Sequence, residues 1–183
     1  MENSISYHSQ KLSSAALLGL LFALSASGAG EPTFAVGQTA PSFQATTTDG
    51  KTVKFPQDYK GKVVLLDFWA TWCPPCRAEV PNVVAAYQRF HPQGFEVLGV
   101  SLDQANAAAK LSSFTQDNHM AWPQVYDGKY WKAEVAQKYG IHSIPQPILV
   151  DGDSGVVLAE GSGARGAKLP PAIEKALAGK KKA

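Results

Sequence analysis

The sequence predicts an α/β fold: a central mixed β-sheet flanked by helices, with an N-terminal β-hairpin and a strand–helix insertion in the middle. Three observations point to it. Residues 63–69, VVLLDFW, are a nearly continuous apolar run, the pattern of a strand covered on both faces. A helix-spaced segment follows at once and leads to a second apolar run, Phe95 to Leu102, completing a strand–helix–strand unit. β-rich runs around turn residues stand on either side of that unit, at Asp49-Gly50 and at Asp151 to Gly155.

In chain order, the apolar stretch Leu12 to Ala26 follows Lys11 and gives way to small residues from Ser25 to Gly30. It is shorter than the ~20 apolar residues a membrane span needs and has the flanks of a secretory signal peptide. Residues 1–30 are therefore expected to be a leader cleaved between Ala26 and Gly30, or else an uncleaved N-terminal anchor. No cysteine follows until the Cys73 motif, so a lipid anchor has no attachment point. The folded domain is expected over 31–179, with 180–183 a solvated basic tail. Val36 to Phe43 leads into a hairpin turning at Asp49-Gly50. After the Val63–Trp69 strand, Pro74 and Pro75 suit a helix start, and Val80, Val83, Val84 and Tyr87 keep helical spacing up to Phe90. A helix is expected from Ala105 to Asn118, a short strand at Gln124 to Asp127, and a helix from Trp131 to Tyr139 closed by Gly140. Ile148 to Val150 and Val156 to Ala159 form a hairpin, and Lys168 to Ala178 an amphipathic closing helix.

With 183 residues, 45% hydrophobic and 17% charged, the chain has room for one full-sized core. Its net charge of +2, from 17 basic and 15 acidic residues, gives no nucleic-acid footprint. Its two cysteines, Cys73 and Cys76, exclude a wider disulfide framework and a four-cysteine zinc site. Arg77 after Cys76 excludes the Cys-X-X-Cys-His haem attachment.

Cys73 falls at the N-terminus of the predicted helix, where unpaired N–H groups and the positive end of the helix dipole favour thiolate over thiol. Cys76 lies one turn later, within reach of a mixed disulfide formed at Cys73. The pair therefore reads as a dithiol–disulfide exchange site. A purely structural bridge is the alternative, although so short a loop stabilises little.

The stretch DFWATWCPPCRAEVP, Asp67 to Pro81, resembles the thioredoxin superfamily and most closely its TlpA/ResA-like extracytoplasmic branch. The resemblance implies a thioredoxin-like fold in which Cys73 attacks and Cys76 resolves. It implies a cis Pro145 facing the pair, with Ile144 and Pro145 docking an extended substrate and Trp72 and Pro74 bordering the docking surface; Pro147 competes for the cis place, and two prolines that merely delimit a strand are the alternative. Gln146-Pro147 departs from the Thr-Thr usual in relatives. Asp67 stands where thioredoxins carry a buried aspartate, and burial raises a carboxyl pKa, so it is expected to exchange protons with Cys76. Glu79 matches an acid that ResA-like proteins keep near the pair. A hydrogen-bonded core Asp67 and a merely helix-favouring Glu79 are the alternatives. Pro81 matches the family's helix kink.

The implied partners are client protein disulfides or thiols and an upstream thiol donor, membrane-embedded or otherwise. No nucleic acid and no cofactor are implied, and the domain is expected to act as a monomer, extracytoplasmic and most simply periplasmic, as a reductant in cytochrome c maturation or toward another specific client. Two rivals remain. A copper-handling protein would use Cys73, Cys76 and His142, since soft thiolates select copper. A peroxiredoxin-type peroxidase would place Thr or Ser three residues before its cysteine and Pro four further back, where this chain has Ala70 and Leu66.

Overall fold

Strand β3 (Val63–Trp69) is buried along its whole length at the centre of a five-stranded sheet ordered β5-β4-β3-β6-β7. The computed structural model describes Met1 and residues 35–180, so the expected leader and residues 181–183 lie outside the described residues. Burying each Val, Leu or Phe of β3 stabilises the fold by about 1.5–3 kcal/mol, which makes this strand the natural middle. β4 (Phe95–Ser101) pairs with it in parallel and β6 (Gln146–Asp151) antiparallel. The sheet is therefore mixed, as expected.

β1 (Phe43–Thr46) and β2 (Thr52–Phe55) form the N-terminal hairpin, with Gly50 at φ +81° in its turn. Phe43 packs on Phe55 and on Tyr139, and Tyr139 packs on Phe68 of β3. The hairpin is thus tied to the sheet through aromatic rings. The N-terminal segment also covers both open edges of the sheet. Gly37 N–H donates to Val157 O on β7 (Val157–Glu160) and Val157 N–H to Gln38 O, both at 2.8 Å. Thr48 N–H donates to Gln124 O on β5 (Gln124–Tyr126) at 2.8 Å. Covered edges are protected from pairing with another chain.

Helix α1 (Pro74–Phe90) starts at the paired prolines and buries Val80, Val83, Ala86 and Phe90. Pro81 lies inside it without ending it. α2 (Ala108–Asp117) begins three residues later than the Ala105 expected, because Asn106 adopts a left-handed φ of +67° that no α-helix accommodates. The helix expected from Trp131 to Tyr139 is divided. Tyr130–Lys132 is one 3-10 turn, Ala133 is extended, and α3 spans only Glu134–Lys138. Asp127 enforces the break by accepting from Glu134 N–H at 2.9 Å.

β6 and β7 are the expected hairpin. α4 (Leu169–Lys180) runs past the expected Ala178. Lys180, assigned from the sequence to a solvated tail, instead ends this helix and pairs with Asp151 at 3.1 Å and Asp153 at 2.6 Å. Pro147 is tolerated inside the sheet because β7 starts pairing with β6 only at Ile148. On that side its missing N–H costs no ladder bond. Phe55–Pro56 is a cis peptide that the sequence did not signal. Among the described residues no helix is long and apolar enough to cross a membrane.

Candidate active site

β3 delivers the chain to a turn, Ala70 to Cys73, closed by Cys73 N–H on Ala70 O at 3.2 Å. Cys73 is the N-cap of α1, with extended backbone. Pro74 and Pro75 fill the first two helical positions and carry no N–H. The first helical N–H is therefore that of Cys76, and it donates to Cys73 Sγ at 3.2 Å. A donor aimed at a sulfur favours its charged form, and the helix dipole adds to it. The two cysteines are joined as a disulfide, Cα to Cα 5.3 Å, and each is only 3% exposed.

The loop before β6 reaches the same sulfur. Ile144–Pro145 is cis, and the Ile144 carbonyl oxygen lies 3.8 Å from Cys73 Sγ. On another side stands Trp72, 37% exposed. Its indole N–H donates to Leu102 O at 3.2 Å and its ring packs on Tyr130 and Trp131. Trp72 and Tyr130 wall a cleft of about 520 Å³ that Gln104, Asn106 and Lys110 also line. Trp69 by contrast is core, 1% exposed, with its indole N–H on Gln124 Oε1 at 3.0 Å.

Asp67 is 7% exposed and its carboxyl makes no side-chain hydrogen bond or ion pair among the described residues. Burial, aided by the nearby Glu79 charge, pushes its pKa from 3.8 up to about 7. Such a group holds and releases a proton near neutrality. Glu79 is anchored rather than free. Its Oε1 accepts from Gly166 N–H at 2.6 Å and its Oε2 from Asn82 Nδ2 at 3.2 Å.

The structure thus gathers Cys73, Cys76, Trp72, Pro74, Ile144 and Pro145 around one sulfur, with the Glu79 charge adding to burial in raising the Asp67 pKa. His142 is exposed, and among the described residues no three His, Cys, Asp or Glu side chains are grouped to hold a metal. Sequence reasoning missed Gln124, which orients Trp69, and the buried Asp103, which holds the turn before Cys73. For Gln124 a signal was available in Gly99: a Cβ there would lie 2.0 Å from Gln124 Oε1, so the neighbouring strand needs glycine. For Asp103 the only signal was an acid directly following the apolar run to Leu102.

A disulfide at a helix N-terminus, faced by a cis-proline loop, defines the class of thioredoxin-like dithiol–disulfide proteins, and the comparisons agree. The AhpC/TSA family model matches residues 36–159. The thiol–disulfide oxidoreductase ResA of Bacillus subtilis (strain 168) is 32% identical over 129 residues, 70% of this chain and 69% of that protein. Among solved structures, the thioredoxin domain of a thiol–disulfide oxidoreductase from Bacteroides vulgatus superposes with a TM-score of 0.67 at 34% identity, covering 78% of this chain and 98% of that one. A thiol:disulfide interchange protein from a Bacteroides species gives 0.66 at 32% identity, covering 78% and 90%. The chain belongs to the AhpC/TSA family, as a thioredoxin-fold, ResA-like thiol–disulfide oxidoreductase. The peroxidase alternative gains nothing, since Ala70 and Leu66 are buried apolar residues.

Proposed function

We propose that the protein reduces disulfides of specific client proteins outside the cytoplasm, an apocytochrome c or another dedicated client, acting as a monomer. The observation that carries this reading is the Cys73 sulfur, receiving the first N–H of α1 while the Ile144 carbonyl stands 3.8 Å away. The reduced Cys73 thiolate attacks one sulfur of the client disulfide, giving a mixed disulfide and releasing the other client sulfur as a thiol. Cys76, deprotonated by Asp67, then attacks Cys73 Sγ. The Cys73–Cys76 disulfide forms and the second client thiol leaves, so two electrons have passed to the client. An upstream thiol donor, membrane-embedded or otherwise, restores the dithiol.

Burial, with the Glu79 charge adding to it, keeps the pKa of Asp67 high enough for this proton to move near neutral pH. The client strand lies along Ile144 and cis Pro145, with Trp72, Pro74 and the adjoining cleft flanking its cysteine. Residues 1–30 act as the export signal or as an anchor.

The test is an equilibrium redox titration of the purified protein followed by tryptophan fluorescence, Trp72 being adjacent to Cys73. A reversible two-electron transition near about −270 mV supports a reductant. One near about −120 mV reverses the direction, and no transition at all removes exchange. Cys73→Ser should abolish exchange, and Cys76→Ser should accumulate mixed disulfides. Full activity in the Cys73 variant would sink the mechanism.

A further inference from the structure

Outside the cysteine pair, the cis-proline loop and the Asp67–Glu79 pair, the described residues hold one other buried carboxylate cluster, and it touches the turn that carries Cys73. Asp103, just past the end of β4, is 2% exposed, and Thr71 and Ser101 beside it are 3% and 1% exposed. Thr71 donates twice to it, through N–H to Oδ2 at 3.1 Å and through its hydroxyl to Oδ1 at 2.6 Å. Ser101 donates its hydroxyl to Oδ2 at 2.8 Å and accepts from Asp103 N–H at 3.1 Å. Leu102, between them, continues the stitching. Its N–H donates to Trp69 O at 2.8 Å, and its carbonyl accepts the Trp72 indole N–H.

The consequence lies in which residues are held. Thr71 and Trp72 are the two central residues of the turn from Ala70 to Cys73. A turn closed by a single 3.2 Å bond is free to tilt about its ends, and tilting it would move the Cys73 sulfur relative to Ile144. Asp103 removes that freedom by gripping both the backbone and the hydroxyl of the first central residue. A carboxylate accepts several donors at once, and donors shared with an ionisable acceptor are the stronger ones.

The geometry points to Asp103 as a positioning residue for disulfide exchange: its grip on Thr71 sets where the Cys73 sulfur is presented to a polypeptide disulfide. It does not touch the reacting atoms. This rests on the exchange reading above, because it concerns how well Cys73 meets a client rather than whether Cys73 attacks.

The test compares two reactions of the reduced protein. One is exchange with a fluorescence-quenched peptide dimer joined by a disulfide, which must dock. The other is alkylation of Cys73 by iodoacetamide above its thiol midpoint, which needs no docking. Asp103→Ala should slow exchange by about tenfold or more, the scale on which small misplacements act, while alkylation stays within about twofold. Asp103→Asn still accepts from Thr71 N–H and donates to the rotatable Thr71 hydroxyl, so it should recover most of the rate. A merely structural role would lower the melting temperature and leave the ratio of the two rates unchanged, which overturns the proposal. An Asp103→Asn variant as slow as the alanine variant overturns it too, since charge and not grip would then be responsible. Should Asp103→Ala fail to fold, Thr71→Val removes only the hydroxyl bond. A loss of about threefold in exchange alone upholds the assignment, and wild-type exchange refutes it. Failure of the exchange reading itself shows differently, as undiminished peptide reduction by Cys73→Ser.

Discussion

Replacing Asp67 with Asn should stabilise the folded protein, and by an amount that depends on pH in one direction. Asp67 is buried in β3 without a compensating cation, and burial together with the Glu79 charge raises its pKa from 3.8 to about 7. The folded state thus keeps a proton that the unfolded state releases near pH ~3.9. Between those values the unfolded chain binds fewer protons, so wild-type stability falls as pH rises and levels off above about 7. A shift of about three pKa units at 1.36 kcal/mol each amounts to about 4 kcal/mol, a large share of a typical stability of ~5–15 kcal/mol. Asn carries no such titration. Guanidinium unfolding of the oxidised proteins from pH 4 to 8.5 should show a variant-minus-wild-type difference that grows by about 4 kcal/mol between pH 4 and pH 7 and is flat beyond. A difference independent of pH would refute the argument that Asp67 is protonated in the fold. The same variant should exchange disulfides about a hundredfold more slowly near neutrality, having lost its proton acceptor.

Glu79→Gln keeps an oxygen for Gly166 N–H but removes the charge felt by Asp67. The Asp67 midpoint, followed by carboxyl NMR, should move down, and the pH window of the stability loss should narrow from its upper end. Gly99→Ala should cost about 1–3 kcal/mol in denaturant unfolding, because the new Cβ would displace Gln124 and break its bond to the Trp69 indole. A change in tryptophan emission should accompany that loss, and unaltered emission would mean that Gln124 does not hold Trp69.

The central strand, the helix start and the sulfur pair were legible because their signals are local. Residues 63–69 are apolar at every position but one, two prolines mark the first turn of α1, and the cysteines flank them. The exception, Asp67, was legible for the same reason: a lone acid in an apolar run has nowhere to go but inside. What escaped depends on contacts across the chain. The start of α2 was misplaced because Asn106 takes a left-handed conformation in a loop shaped by Tyr126, whose hydroxyl accepts from Ala107 N–H and donates to Gln104 O. The α3 helix was overextended because Asp127, seven residues before Glu134, captures the N–H that would have continued it. Asp103 and Thr71 are 32 residues apart, and no periodicity links a threonine in one turn to an acid in another. Lys180 looked like a tail because its counter-charges, Asp151 at the end of β6 and Asp153 in the turn that follows, lie far from it in sequence.

The site depends on one topological choice. Because β4 runs parallel to β3, the C-terminal ends of both strands meet, Trp69 opposite Ser101. Because β6 runs antiparallel to β3, its N-terminal end comes to the same edge, Phe68 opposite Gln146. Three loops distant in sequence therefore converge there: the Cys73 turn, the Asp103 segment and cis Pro145. Register matters as much as direction. A one-residue slip of β6 would carry Pro145 about 3.3 Å along the strand and turn Ile148 and Val150 to the opposite face. The buried side chains of β6 oppose that slip, and so the same apolar core that stabilises the sheet also keeps the Ile144 carbonyl beside the Cys73 sulfur.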